Sequence, residues 1–137
     1  MITADSSVWI GYFNGLDTPQ IRALDAVLDD SAQEVLLLDV VLMEVLRGFR
    51  HDRDWQLARE AFAGLPVATA GGEGIAVAAA SLFRKLRGQG VTVRSSIDLL
   101  VGAWCIENGC ALIHNDRDFV PLEKLQGLES LQTWKPA

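Results

Sequence analysis

Cysteine is scarce in this chain: Cys105 and Cys110 are the two present, and they sit in apolar surroundings with no paired His or Cys set nearby. They read as packed thiols in a reducing compartment rather than as a disulfide or a metal site. No apolar run reaches the roughly 18 residues of a membrane span, and the opening MITADSSVWI lacks the basic region of a signal peptide. The expected location is therefore cytoplasmic, with no membrane partner. Internal repeats, low-complexity segments and linkers are also missing, so residues 1–137 are read as a single domain, long enough to bury a core. Half the residues are apolar and 22% are charged, which excludes a disordered chain.

A basic surplus is missing too. The net charge of −6 argues at first sight against a nucleic-acid partner. The placement of the charges matters more than their sum. Arg47, Arg50 and Arg53 form one basic group, and Arg84, Lys85, Arg87 and Arg94 another. If four or five acids converge on a cation, the remaining surface is close to neutral. Solvated helix faces are the plainer reading of both groups, and composition does not settle the partner.

What is present is an alternation of short apolar runs and helical patterns. Strands are expected at 2–4, 35–38, 66–68, 111–113 and 131–134. Helices are expected at 8–13 with Ser6 and Ser7 as caps, from the Thr18-Pro19 start to about 28, after Asp39, at about 52–64, at 73–87, from the Ser95 cap to Asn108, and at 119–125. The run Val35-Leu36-Leu37-Leu38 suits a strand covered on both faces. This pattern implies an α/β fold with a mainly parallel central sheet and helices on both faces.

The stretch 95–119, SSIDLLVGAWCIENGCALIHNDRDF, organises the rest. A helix leading into a parallel strand runs antiparallel to it, so the helix start and the strand end share one sheet edge. Asp98 is thereby brought to Asp116 and Asp118. Asp5 ends the first strand and Glu44 lies early in the helix leaving the second, at the same edge, where parallel sheets bind ligands. At about 5 Å and an effective dielectric of about 20, each like-charge pair costs on the order of 3 kcal/mol. Something must neutralise the group. An all-oxygen set without His or Cys suits Mg²⁺ or Mn²⁺, and the matching chemistry is metal-assisted phosphoryl transfer.

Four segments, DSSVWI, EVLRG around Glu44, SSIDLLVGAW and NDRDF, resemble in this order and at this length the PIN-domain ribonucleases. More narrowly, they resemble the toxin of VapBC-type toxin–antitoxin pairs. The resemblance implies a PIN-like three-layer sandwich and a Mg²⁺- or Mn²⁺-dependent endoribonuclease that hydrolyses RNA with metal-activated water. It also implies a small antitoxin that blocks the enzyme, and a homodimer. By position, Asp5, Glu44, Asp98 and Asp116 match the family's catalytic, metal-binding acids, with Asp118 as a further candidate ligand. Ser7 and Asn115 match flanking polar positions, and Ser95 matches the hydroxyl before the third acid.

Plainer roles stand beside these. Asp5 suits a helix cap, Glu44 a solvated helix face, Asp98 the helix dipole, and Asp116 or Asp118 the cap of the next helix. His51 and His114 are read as surface or packing residues. Trp9, Tyr12, Phe13 and Trp55 are either core or, where exposed, an apolar groove for an amphipathic helix. The alternative function is a PIN-like module that binds RNA or protein without cutting. A phosphoacceptor receiver domain would need an aspartate ending the third strand, and Val67-Ala68-Thr69 offers none.

Overall fold

The computed structural model describes residues 1–133 and 135. Its centre is a parallel sheet built outward from β1 (Ile2–Ala4). On one side β1 pairs with β4 (Ala111–Ile113), Thr3 opposite Leu112, and β4 pairs with β5 (Ser130–Gln132). On the other side lie β2 (Leu37–Leu38) and β3 (Val67–Ala68), paired with each other. The two halves meet where Ile2 N–H donates to Glu34 O at 2.8 Å and Leu36 N–H donates to Ile2 O at 3.0 Å, around an Ile2–Val35 bridge. The order is therefore β3-β2-β1-β4-β5. The chain steps one way from β1 to β3, then crosses back to β4, so the strand order reverses between β1 and β4. That switch point opens a crevice at the carboxyl ends of these two strands.

Successive strand residues point to opposite faces. Leu37 and Leu38 are both fully buried, as are Leu112 and Ile113, so both sheet faces are covered. The covering helices are α1 (Ser6–Phe13), α2 (Pro19–Asp29), α3 (Asp39–Leu46), α4 (Asp52–Phe62), α5 (Glu73–Gly88), α6 (Ser96–Asn108) and α7 (Val120–Gln126), the last entered through a 3₁₀ turn at Arg117–Phe119. α6 packs along α5 and also meets α3. α7 is held close to α6 by Gly102, where an added Cβ would lie 2.3 Å from Leu122 Cδ2. Among the described residues no helix is long and apolar enough to cross a membrane.

Several boundaries differ from the sequence reading. Ser6 and Ser7 lie inside α1, and the cap is Asp5, whose carboxylate accepts from Val8 N–H. The 35–38 run forms strand ladder only at its end, because Val35 and Leu36 lie beside β1 by a bridge rather than a continuous ladder. The helix expected at 119–125 is preceded by the 3₁₀ turn, which Asp116 caps. The last strand begins one residue early at Ser130; Trp134, expected to end it, lies outside the described residues.

Candidate functional site

Asp5, Asp98 and Asp116 stand where a strand ends or a helix begins, whereas Glu44, expected early in its helix, lies in the last turn of α3, because that helix is only eight residues long. Asp5 follows β1 directly and is 3% exposed. Its oxygens receive the Ser7 hydroxyl, at 2.9 and 3.0 Å, and Val8 N–H at 3.3 Å. Asp98 lies in the first turn of α6, and its own N–H donates to the capping Ser95 Oγ at 3.3 Å. Asp116 comes three residues after β4, and its carboxylate accepts from Asp118 N–H at 2.9 Å. One carboxylate oxygen each from Asp98, Asp116 and Asp118 lies within 4.8 Å of the others.

Asp5 and Glu44 are not part of that three-residue group but are within its electrostatic reach. Burial pushes the Asp5 carboxyl up to about 7; the Ser7 and Val8 hydrogen bonds pull the other way, and the charges of Asp98 and Asp116 add to the rise. Asp98 is also raised to about 7, chiefly by burial and then by Asp116, Glu44 and Asp118. Glu44, half-buried on α3, has Arg47 Nη2 at 3.6 Å. Two carboxyls that hold protons near neutrality beside three further acids, Glu44, Asp116 and Asp118, form a set that suits a cation. The donors are all oxygen, as Mg²⁺ and Mn²⁺ require, so the residues fit a hard divalent ion.

The remaining candidates are more dispersed. Asn115 is exposed and lines a hollow with Thr18, Pro19, Gln20, Gln132 and Thr133. His51 is exposed at the start of α4. Cys105 and Cys110 are buried free thiols. Trp9 is buried, its ring edge-on to Phe62 at 5.0 Å, whereas Tyr12, Phe13 and Trp55 are half-buried. Beside them Phe13, Asn14, Phe49, Asp54, Leu57 and Ala58 line a hollow in which Leu57 is 55% exposed.

Two residues behind the acids were not singled out from the sequence as a pair. His114, fully buried, contacts Glu123 of α7 through Nε2, and Ser130 and Thr133 also donate to Glu123 Oε1, at 3.0 and 2.7 Å. Burial would raise the Glu123 carboxyl, but the hydrogen bonds from His114, Thr133 and Ser130 outweigh it and hold the group below the usual range. The available signal was a polar His placed directly after an apolar strand, where an unpartnered ring would be costly.

Comparison with known proteins follows the same lines. A family model described as the PIN domain matches residues 2–125. Among curated relatives, VapC ribonuclease Mb1587 of Mycobacterium bovis and ribonuclease VapC11 of Mycobacterium tuberculosis are each 28% identical over 130 residues, spanning 95% of this chain and 97% of the relative. Among solved structures, VapBC2 from Rickettsia felis bound to a promoter DNA fragment superposes with a TM-score of 0.76 at 16% identity, over 98% of this chain and 100% of that one. FitAcB from Neisseria gonorrhoeae gives 0.70 at 15% identity, over 99% and 98%. At these identities the structural matches speak for the fold.

Proposed function

The chain belongs to the PIN-domain family, and on that premise we propose that it is a divalent-metal-dependent endoribonuclease, the toxin of a type II toxin–antitoxin pair. The observation that carries the reading is the meeting of Asp98, Asp116 and Asp118 within 4.8 Å at the carboxyl edge of the sheet, beside an Asp5 that burial drives to about 7. The names of the curated relatives, ribonucleases of the VapC kind, support the substrate class.

In this proposal the catalytic acids Asp5, Glu44, Asp98 and Asp116 hold Mg²⁺ or Mn²⁺, with Asp118 as a further ligand. A divalent ion bound there supplies activation of water and neutralises charge on the phosphate. The protein's own part is to keep the carboxylates in place. Ser7 orients both oxygens of Asp5, Ser95 fixes the turn that presents Asp98, and Asp116 orders the loop that carries Asp118. Asn115, exposed beside the loop, is assigned to the RNA side. Water, not the ribose 2′-hydroxyl, is the attacking group, so the products carry a 5′-phosphate and a 3′-hydroxyl.

The antitoxin is proposed to cover the hollow between α1 and α4, where Leu57 stands exposed beside Phe13 and Phe49. An amphipathic helix suits such a surface. The working unit is proposed to be a cytoplasmic homodimer. The test is an RNA panel incubated with the protein in Mg²⁺, in Mn²⁺ and in chelator. Metal-dependent cleavage with a 5′-phosphate end, lost in Asp5→Asn and Asp98→Asn proteins that remain folded, is the expected result. A 2′,3′-cyclic phosphate product, or cleavage unaffected by chelator, overturns it. Metal-independent RNA binding without any cleavage favours the non-catalytic module instead.

A further inference from the structure

His114 is the first residue past β4, and it is wholly buried. Its backbone N–H donates to Gln132 O at 3.0 Å, and its ring lies tilted against Phe119 with centroids 4.9 Å apart. Both ring nitrogens are engaged. Nδ1 accepts from Asp116 N–H at 3.3 Å, and Nε2 faces Glu123 Oε1, with Thr133 Oγ1 3.1 Å away. A nitrogen that accepts carries no proton, so the ring proton sits on Nε2 and is donated to Glu123. The tautomer is thus set by the geometry on both sides of the ring.

Glu123 is itself fixed. It takes hydroxyl donors from Ser130 and Thr133, and the residue before it, Leu122, is 1% exposed and seated on Gly102 of α6. Gly102 lies one turn beyond Asp98, on the same helix face. One face of α6 therefore carries Asp98 and seats the helix that holds Glu123. From Glu123 the chain of contacts runs through His114 to the Asp116 amide, and from the Asp116 carboxylate to the Asp118 amide.

We propose that His114 and Glu123 form a positioning brace that holds the Asp116–Asp118 loop at its distance from Asp98, with the imidazole acting as a hydrogen-bond acceptor towards the loop. This deepens the metal-site reading above and rests on it. Neither residue is a catalytic residue in this scheme; both act through the placement of Asp116 and Asp118. Partners of this kind, one shell behind the ligands, typically change metal affinity by about 10–100-fold when removed.

Two substitutions separate the two sides of the ring. In His114→Asn the side-chain oxygen reaches about as far as Nδ1 and can still accept from Asp116 N–H, while contact with Glu123 is lost. In His114→Gln the amide reaches towards Glu123, while the acceptor beside Asp116 is lost. If the ring merely filled space, Gln, closer to His in volume, would be the better replacement. The brace gives the opposite order for metal affinity.

Free Mn²⁺ measured by electron paramagnetic resonance reads this without any RNA. Tight binding by the wild type, loss of about tenfold or more in His114→Gln, and a smaller loss in His114→Asn are expected. A His114→Gln affinity equal to wild type, or a His114→Asn loss as large as that of Gln, overturns the brace while leaving the metal site standing. A wild type that binds no Mn²⁺ overturns the metal-site reading and the brace's role with it. Independently of metal, nitrogen-15 NMR of the wild-type imidazole is expected to find the proton on Nε2 and none on Nδ1; a protonated Nδ1 overturns the brace. Where a His114 variant fails to fold by circular dichroism, Glu123→Met, which keeps the length of the side chain but offers Nε2–H no oxygen acceptor, decides: reduced Mn²⁺ affinity supports the brace and wild-type affinity overturns it.

Discussion

Asp5 shows how one residue serves structure and chemistry together. Its carboxylate caps α1 through Val8 N–H, and the same oxygens share the Ser7 hydroxyl. Burial raises the carboxyl to about 7, and the Ser7 hydrogen bond is the largest influence holding it from rising further. Ser7→Ala should therefore raise the Asp5 pKa. Metal binding needs the deprotonated carboxylate, so the midpoint of Mn²⁺ binding against pH should move upward. A titration of Mn²⁺ affinity from pH 6 to 9 checks this, and an unchanged or lowered midpoint refutes the role given to Ser7. At this scale much was legible. Asp5 at a strand end and Asp98 at a helix start follow from element order alone, whereas Glu44, expected early in its helix, stands in the last turn of α3. The His114–Glu123 contact could not, because it depends on how α7 returns across the end of β4, and no local pattern encodes that.

At the scale of elements, α6 was the most readable part of the chain. Ser95 caps it, and Gly109, with φ of 60°, ends it in the left-handed conformation that Gly adopts without strain. Because Ser95 Oγ accepts from the N–H of Asp98 itself, Ser95→Ala should cost about 0.5–2 kcal/mol and loosen the turn that presents the acid. Less legible was the reason for Gly102 in the middle of a helix. Gly is unfavourable there by about 1 kcal/mol relative to Ala, so an isolated α6 would gain from Gly102→Ala. In the folded protein the new methyl meets Leu122 Cδ2 at 2.3 Å, and overpacking of this kind typically costs about 1–3 kcal/mol. Urea unfolding of Gly102→Ala separates the two effects. Destabilisation is expected, and a more stable variant would mean that α7 shifts freely on α6. The 35–38 run shows the converse limit. Its apolar character reports burial, which the structure has throughout, but ladder pairing covers only Leu37–Leu38, since hydrogen-bond register depends on neighbouring strands.

For the whole molecule, the acids make stability depend on pH in a particular direction. Asp5 and Asp98 are raised from 3.8 to about 7 in the folded protein. Between about pH 4 and 7 the native state keeps protons that the unfolded chain has released, so stability from these groups is fully present below the unfolded pKa and is lost as pH rises through 7. Glu123 acts oppositely: its carboxyl is lowered, so its contribution is present above its unfolded pKa and is lost as pH falls through its folded one. Without metal the melting temperature should therefore fall from about pH 5.5 to pH 8. A cation that binds the deprotonated acids reverses this, adding about 2.7 kcal/mol at a hundredfold excess over Kd, and the gain should be greater at pH 8 than at pH 5.5. Asp98→Asn tests the same balance from within. It removes one charge while keeping the shape of the side chain, so in chelator it should raise the melting temperature at pH 8, and do so less at pH 5.5, where Asp98 is already largely protonated. If Asp98 served only the helix dipole, its replacement would cost about 0.3–1 kcal/mol and the gain from Mg²⁺ would match that of the wild type. Melts of both proteins at the two pH values, in chelator and in Mg²⁺, distinguish the cases by sign: an Asp98→Asn protein destabilised in chelator, with a Mg²⁺ gain equal to the wild type's, would remove Asp98 from the metal site.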